Sequence, residues 1–397
     1  MNLNMYDVII SGAGPAGSKC AEVLAKSGFK VALIEKNTQW RKPCGGAVSS
    51  RIFKYYPQIR KLNFHKITGM IMYSSDYNKL KYSWEGIKHH SINVDRLIFD
   101  NYVRNVAIDV GAELFDKNIS YDFIIKYNNR IGIKTKTSSG TKEYLGKIII
   151  IADGMSSKLA IKSGLRDKWK IEELGLVKCA IMEGKNNLDK DCMSTFFKPY
   201  KGYAWIFPLG EERFNIGCGT FGEDNLNLNL NQLYLEFIND PNIKKLLPKS
   251  NYKEIWKGAY PVPTQGVNDE SLYGENILLI GDAAGFVSPI SGEGIHAGIV
   301  SGNIAAETAI SALENDNISN LTLKSYKTHQ YIKKIIRNFK MKRSMVDFFF
   351  ENKGYNFSNM LKLANKDSYI KEEVINMFLY NQPLTKELLL RIKSTNE

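Results

Sequence analysis

Residues 6–36, YDVIISGAGPAGSKCAEVLAKSGFKVALIEK, decide the fold. Val8 to Ile10 form the kind of apolar run that is buried as a strand on both faces. Gly12-Ala-Gly14-Pro-Ala-Gly17 then opens a helix carrying Ala21, Val23, Leu24 and Ala25, and KVALIE returns as a second strand. In such a unit Gly12 permits a tight turn, Gly14 lets a pyrophosphate approach the backbone, and Gly17 lets helix and strand pack closely. Phosphates would sit at the helix N-terminus, where free N–H groups and the dipole favour anions. Glu35 closes the second strand where an acid can accept hydrogen bonds from a ribose diol. A carboxylate there disfavours a 2′-phosphate, so FAD or NAD fits better than NADP. The same spacing recurs at Gly217-Cys-Gly219-Thr-Phe-Gly222, but EDNLNLNLNQ follows it instead of a helix start. Without the strand–turn–helix context the second match predicts no dinucleotide site.

Three later segments extend the pattern. INVDRLIFDNYVRNVAIDVGAEL (92–114) reads as an amphipathic helix with Leu97, Ile98 and Val103 on one face. Arg96 opens it, either reaching a cofactor or lying on the surface near Asp100. KIIIIADGMSSKLA (147–160) is a strand ending in Asp153-Gly154, then a turn into a helix. ENILLIGDAAGFVSPISGEGIHAGIVSGNIAAETAISAL (275–313) is a buried strand, Ile277 to Ile280, a Gly/Ser-rich turn, and a long helix from about Gly294. Asp282 is read either as a ligand for a ribityl hydroxyl or as a helix cap after a plain turn. Gly292 and Gly294 let backbone N–H groups approach an anionic ring edge.

This order, a GxGxxG turn, an arginine helix, a DG strand and a GD strand, resembles the flavoproteins of the aromatic-hydroxylase fold. The resemblance implies bound FAD and an α/β architecture, α+β overall: a Rossmann-like FAD-binding domain with an inserted β-sheet substrate domain and a helical C-terminal region. The expected divisions are 1–60, 91–160 and 265–325 for FAD, 61–90 and 161–264 for the insert, and 326–397 for the C-terminal helices.

Two further stretches narrow the branch. RKPCGGAVSS (41–50) sets Cys44 before two glycines, which on its own suits a small residue in a tight loop. YKGYAWIFPLGEERFNIGCGTF (200–221) alternates Tyr203, Trp205 and Phe207 with smaller residues, as sheet packing or as one face of a strand lining a site. Together YxWxFP, KPCGGA and SPISGEGI are similar to the geranylgeranyl reductase family, from residue 6 to about 310. That family saturates carbon–carbon double bonds in the isoprenoid chains of archaeal lipids, chlorophyll side chains and some quinones. The resemblance implies that Ala16, Gly17 and Glu35, with Gly12 and Gly14, hold adenosine and pyrophosphate. Cys44, Gly45 and Ala47 would line the flavin, with Gly45 and Gly46 admitting close approach of the backbone to its ring. Arg96 would contact the cofactor, and Asp282, Gly294 and Ile295 would bind the ribityl chain and isoalloxazine. Tyr203, Trp205 and Phe207 would wall an apolar tunnel for the prenyl chain, with Cys44 the candidate catalytic residue through proton delivery or, as preferred, substrate placement. His296, after the GEG turn, reads as a helix residue rather than an acid. An FAD monooxygenase or a halogenase shares the fold, although a halogenase carries WxWxIP in place of YxWxFP. A non-catalytic, FAD-bound membrane module is the non-enzyme alternative.

Composition bounds the partners. The net charge of +13 predicts an anionic partner: a phosphorylated cofactor or an acidic lipid surface. Nucleic acid is not expected, since no recognition motif accompanies the charge. Five scattered cysteines give neither a disulfide framework nor a zinc site, so no metal is expected. No apolar run is long enough for a membrane span, and MNLNMYDVII lacks the basic start of a signal peptide. The expected location is cytoplasmic, with peripheral contact to an anionic membrane. KSYKTHQYIKKIIRNFKMKRSMVDFFF (324–350) sets Ile332, Ile335, Ile336 and Phe339 at helical spacing among cations. It either lies on a bilayer or, as preferred here, packs on its own domain with a solvated basic face. Residues 351–397 read as helical. The electron donor, NAD(P)H, ferredoxin or similar, has left no motif.

Overall fold

The structure is a computed structural model that describes residues 5–84, 91–127, 129–248, 252–379 and 385–394. Residues 85–90 of the expected insert, and 380–384 and 395–397 of the expected C-terminal helices, lie outside it.

Distant stretches of chain meet in one sheet. Strand Met5–Ser11 runs parallel to Val31–Ile34 on one side and to Gly140–Ile151 on the other, and Ile277–Leu279 adds in parallel beyond it. Helices cover these strands, so the runs are apolar throughout: Val8 to Ile10 and Ile148 to Ile151 are fully buried. Gly12 has φ +103, and a Cβ there would lie 2.3 Å from the Ala152 oxygen. Helix Pro15–Lys26 sits so tightly on this turn that a Cβ on Gly17 would lie 1.9 Å from the Gly12 oxygen. Helix Ile295–Glu314 crosses the same helix through its small residues, with Gly302 against the Ala16 carbonyl.

Helix Arg96–Asp109 forms as expected, capped by the Asp95 side chain on the Leu97 N–H. Its buried face differs from the expected one. Phe99, Val103 and Ala107 point inward at i, i+4, i+8, while Ile98 is 56% exposed. Arg96, Asp100 and Arg104 share the buried stripe, so polar residues at the core side masked the true period.

A second sheet runs in the order Lys253–Val262, Gly175–Glu183, Arg213–Phe221, Gly202–Pro208, Cys192–Phe197, Gly69–Tyr73, Lys79–Ser83. The second GxGxxG match lies inside strand Arg213–Phe221. There Gly217 makes room for the Trp205 ring, which a Cβ would meet at 2.3 Å.

The C-terminal segment folds as helices Asn320–Thr328, Gln330–Ala364, Ser368–Leu379 and Lys386–Ser394. Within residues 324–350 the chain breaks at His329, which caps the next helix through its ring on the Tyr331 N–H. Ile332, Ile336 and Phe339 are buried in the core shared with Ile280 and Phe286, while Lys333, Lys334 and Lys340 face solvent. The apolar face is therefore packed on the protein itself. Further along, Val346, Phe349, Phe357 and Met360 join Met70, Met72 and Trp205 in one core against the second sheet.

Candidate active site

Between the two sheets lies a cavity of about 670 Å3. One end is the fingerprint turn. No atom lies within 4 Å of where a Cβ on Gly14 would stand, and no side chain caps the helix that starts there. The result is an open cradle at a helix N-terminus, suited to a pyrophosphate. Beside it Glu35 accepts the Ala13 N–H at 2.8 Å and the Asn37 N–H at 3.0 Å, which holds its carboxylate against the cavity wall. Asp153, at the end of Gly140–Ile151, also lines this end. Burial pushes its carboxyl up to about 6, and its Oδ1 finds no partner among the described residues. An open cradle, a positioned acid and an orphaned buried oxygen fit the adenosine diphosphate half of FAD. Gly17 is not at the cavity surface; it acts through the helix packing described above.

The middle of the cavity is built on loop 41–47, which is tied to three parts of the fold. Arg41 pairs with both oxygens of Asp95 at 2.9 and 3.0 Å. Lys42 forms an ion pair with Asp282. The Cys44 backbone oxygen accepts from Asn215 Nδ2 at 2.9 Å, and the Val94 N–H donates to the Gly46 oxygen at 2.9 Å. Asp282 therefore neither caps the long helix, whose N-cap is Gly294 without a side-chain bond, nor stands free. Its carboxylate faces the cavity beside Lys42, with Gly294 and Ile295 next to it on the wall.

The glycines of this loop serve packing that the sequence did not show. A Cβ on Gly45 would lie 2.8 Å from the Phe207 ring and 3.0 Å from Trp205 Nε1. Gly46 has φ +81, and a Cβ there would stand 2.2 Å from the Val94 oxygen. Both positions accommodate protein neighbours on the side where a Cβ would stand, and both also border the cavity.

Arg96 has the Asp100 partner of its surface reading but not the exposure. It pairs with both oxygens of Asp100 at 2.9 Å, yet it is buried and lies on the cavity wall. Burial opposes its charge, and Asp100 and Cys44 together outweigh that cost, so its hold on the proton is raised. The Cys44 sulfur thus has a guanidinium as a neighbour. It also accepts the Gly46 N–H at 3.4 Å. Beneath the loop, burial pushes the Cys179 thiol up to about 12, and its Sγ donates to the Cys44 oxygen at 3.8 Å.

The far half of the cavity is apolar. Strand Gly202–Pro208 turns Tyr203, Trp205 and Phe207 toward it, while Ala204 and Ile206 pack into the core on the other face. Tyr203 donates to the Ser291 oxygen at 2.6 Å, and Trp205 Nε1 donates to Asn215 Oδ1 at 2.8 Å. Met70, Met193 and Phe197 from the adjoining parallel pair of strands add to this wall, and Phe378 reaches it from helix Ser368–Leu379. Sequence reasoning missed Lys42, Asn215, Met70, Met193, Phe197 and Phe378. Asn215 carried a signal: an amide inside the strand RFNIGCGTF is out of place unless a buried partner needs it. Phe378 carried none.

Comparison with known proteins agrees with this layout. The family description pyridine nucleotide-disulphide oxidoreductase matches residues 6–176. A digeranylgeranylglycerophospholipid reductase of Methanosphaera stadtmanae is 30% identical, over 98% of this chain and 96% of that protein. The crystal structure of a geranylgeranyl bacteriochlorophyll reductase-like protein from Thermoplasma acidophilum superposes with a TM-score of 0.82 at 23% identity, covering 98% of this chain and 96% of that one. A flavin-dependent brominase superposes with a TM-score of 0.74 at 18% identity, covering 99% of both chains, and shows that the fold alone is shared with halogenating enzymes.

Proposed function

This chain belongs to the geranylgeranyl reductase family, and from that membership we propose that it is an FAD-dependent reductase that saturates carbon–carbon double bonds in the prenyl chains of a glycerophospholipid. The observation that carries the proposal is the continuity of one cavity, from the Gly14 cradle to an apolar aromatic wall, past the sulfur of Cys44. Bound and reduced, FAD supplies the hydride equivalent that such a saturation consumes.

The chain's own residues supply the rest. An isolated alkene has no carbonyl to polarise, so the second carbon needs a proton from a defined atom and water must be kept away. Cys44 Sγ is the group we assign to that proton. The Gly46 N–H donates to the same sulfur, and the Arg96 guanidinium lies beside it. Tyr203, Trp205 and Phe207 exclude water, and each buried isoprene unit adds binding at about 25 cal/mol per Å2 of apolar area without any polar contact. Asn215 and the Arg41–Asp95 pair hold the loop, so that Cys44 faces the chain at a fixed place.

The electrons come from an external donor of the NAD(P)H or ferredoxin class. No helix among the described residues is long and apolar enough to cross a membrane. With a net charge of +13, the protein would meet an anionic bilayer at its surface, a contact that vesicle co-sedimentation at two ionic strengths would measure.

The deciding experiment is anaerobic. The FAD-loaded protein is reduced with dithionite, mixed with digeranylgeranyl glycerophospholipid, and the lipid is analysed by mass spectrometry. Mass gains of two hydrogens per double bond are expected from the wild type, and Cys44→Ala should keep its FAD while losing turnover. Unchanged lipid, together with oxygen-dependent flavin reoxidation on an aromatic substrate, would return the protein to the monooxygenase or halogenase class.

A further inference from the structure

The aromatic wall continues beyond the strand that begins it. Phe207 and Trp205 stand against the Cys44 loop at Gly45, with their ring centroids 6.1 Å apart. Trp205 and Tyr203 are 5.8 Å apart, Tyr203 and Phe197 again 5.8 Å, and Phe197 and Phe378 5.8 Å once more. Each of these rings borders the cavity. The row leads from the reacting loop to the C-terminal helices, and Phe378 is its last member.

Phe378 is also held in place. Phe357 stacks on Phe197 at 3.8 Å and meets Phe378 edge-on at 6.2 Å. Val374 and Met377 of the same helix are fully buried in the core that includes Trp205 and Phe207. A ring anchored in this way does not swing aside for an oversized guest, because overfilling a packed apolar site forces strain. An undersized guest leaves an unfilled gap that costs contact energy.

Resting on the reading of the cavity as a prenyl site, we propose that Phe378 is the specificity-determining residue that sets how far a prenyl chain can extend past the Cys44 loop. The C-terminal helices thereby act as the measuring end of the site as well as its cover.

The test uses the FAD-loaded full-length protein with glycerol-linked lipids of two, three, four and five isoprene units per chain. Turnover with reduced flavin is read by mass spectrometry as double bonds lost per lipid. Phe378→Ala should shift the ratio of turnover on five-unit over four-unit chains upward by about tenfold or more, the scale on which apolar pockets discriminate. Phe378→Trp should shift preference toward three units by a similar factor. If Phe378→Ala fails to fold, by circular dichroism and retained flavin absorbance, Phe378→Trp alone decides. Folded, flavin-bound variants that keep the wild-type ratios would overturn the assignment of Phe378 while leaving the prenyl-reductase reading intact. A wild type that reduces none of the four lipids would instead sink the reading on which the assignment rests.

Discussion

Asn215 Nδ2 donates to the backbone oxygen of Cys44 across 2.9 Å, joining the inserted sheet to the loop that carries the candidate catalytic sulfur. The same amide accepts the Trp205 indole N–H through Oδ1 at 2.8 Å. One buried side chain therefore fixes the sulfur-bearing loop relative to the ring that would hold the substrate, and it is itself only 3% exposed. Trp205 is buried and Cys44 half-buried, so removing the amide orphans the indole N–H and leaves the Cys44 oxygen only its long contact from Cys179 Sγ.

Asn215→Leu, similar in shape, should lower stability by about 1–3 kcal/mol, the cost of one orphaned buried donor. Asn215→Asp separates the two contacts. It keeps an acceptor for Trp205 but loses the donor to Cys44, so the loop should be released while the wall stays. Urea melts should then show a loss at least as large as for leucine, because a buried carboxylate oxygen would face the Cys44 oxygen, with prenyl turnover reduced at least tenfold. Equal turnover in Asn215→Asp and wild type would show that the Cys44 loop needs no such anchor.

Gly45→Ala tests the packing of loop on wall. A Cβ there would stand 2.8 Å from the Phe207 ring and 3.0 Å from Trp205 Nε1, and both rings are buried, so neither moves freely. The variant should bind FAD, since the Gly14 cradle and Glu35 are untouched, but lose prenyl turnover by about tenfold or more as the wall is displaced. Phe207→Leu in the same chain should restore part of that loss by vacating the contact, a coupling measured as a double-mutant cycle. Independent effects of the two substitutions would place the damage elsewhere.

What the sequence disclosed follows from how local each feature is. The strand–turn–helix unit of residues 6–36 was legible because its glycines, its apolar runs and Glu35 act within a few turns of chain. The aromatic face of Gly202–Pro208 was legible by its period of two. The helix after Arg96 was placed correctly but rotated, because Arg96 and Asp100 occupy core-facing positions that composition assigns to solvent. The protein neighbours of the loop glycines were not legible. The cause of Gly45 lies in Trp205 and Phe207, well over a hundred residues away, and no local pattern carries that pairing. Lys42 and Asp282 meet across a separation of 240 residues. Phe378 enters from a helix whose sequence, SYIKEEVINMFL, is an ordinary amphipathic one, so its role depends wholly on where the helix docks.

Glu35 offers a direct check on the nucleotide end. Its carboxylate accepts the Ala13 N–H at 2.8 Å, which leaves it poised on the cavity wall. Glu35→Ala removes the acceptor for a ribose diol and frees that N–H, and FAD affinity should fall by about ten- to a hundredfold, the worth of a charged hydrogen-bonding partner. Flavin fluorescence titration of the apoprotein measures it. Affinity within twofold of wild type would mean that the ribose does not rest on this acid.

His296 predicts a pH dependence whose sign separates a structural role from an acid's. Burial, with Arg51 acting in the same direction and Glu293 against it, lowers its ring to about 4, so it is neutral in the folded protein near neutrality. An unfolded histidine titrates near 6.5. Between those values the unfolded chain binds more protons than the folded one, and stability must fall as pH drops from about 6.5 toward 4. Above 6.5 the histidine contributes no slope. His296→Phe, which keeps a ring edge toward Tyr55, should remove a share of the acid-side loss on the order of 1–3 kcal/mol at pH 4. Urea midpoints of both proteins from pH 8 to pH 4 should therefore run parallel in the upper half of the range and diverge in the lower half. Parallel curves throughout would mean that the folded ring already takes up its proton near 6.5, and His296 would then have to be reconsidered as a donor beside the GEG turn.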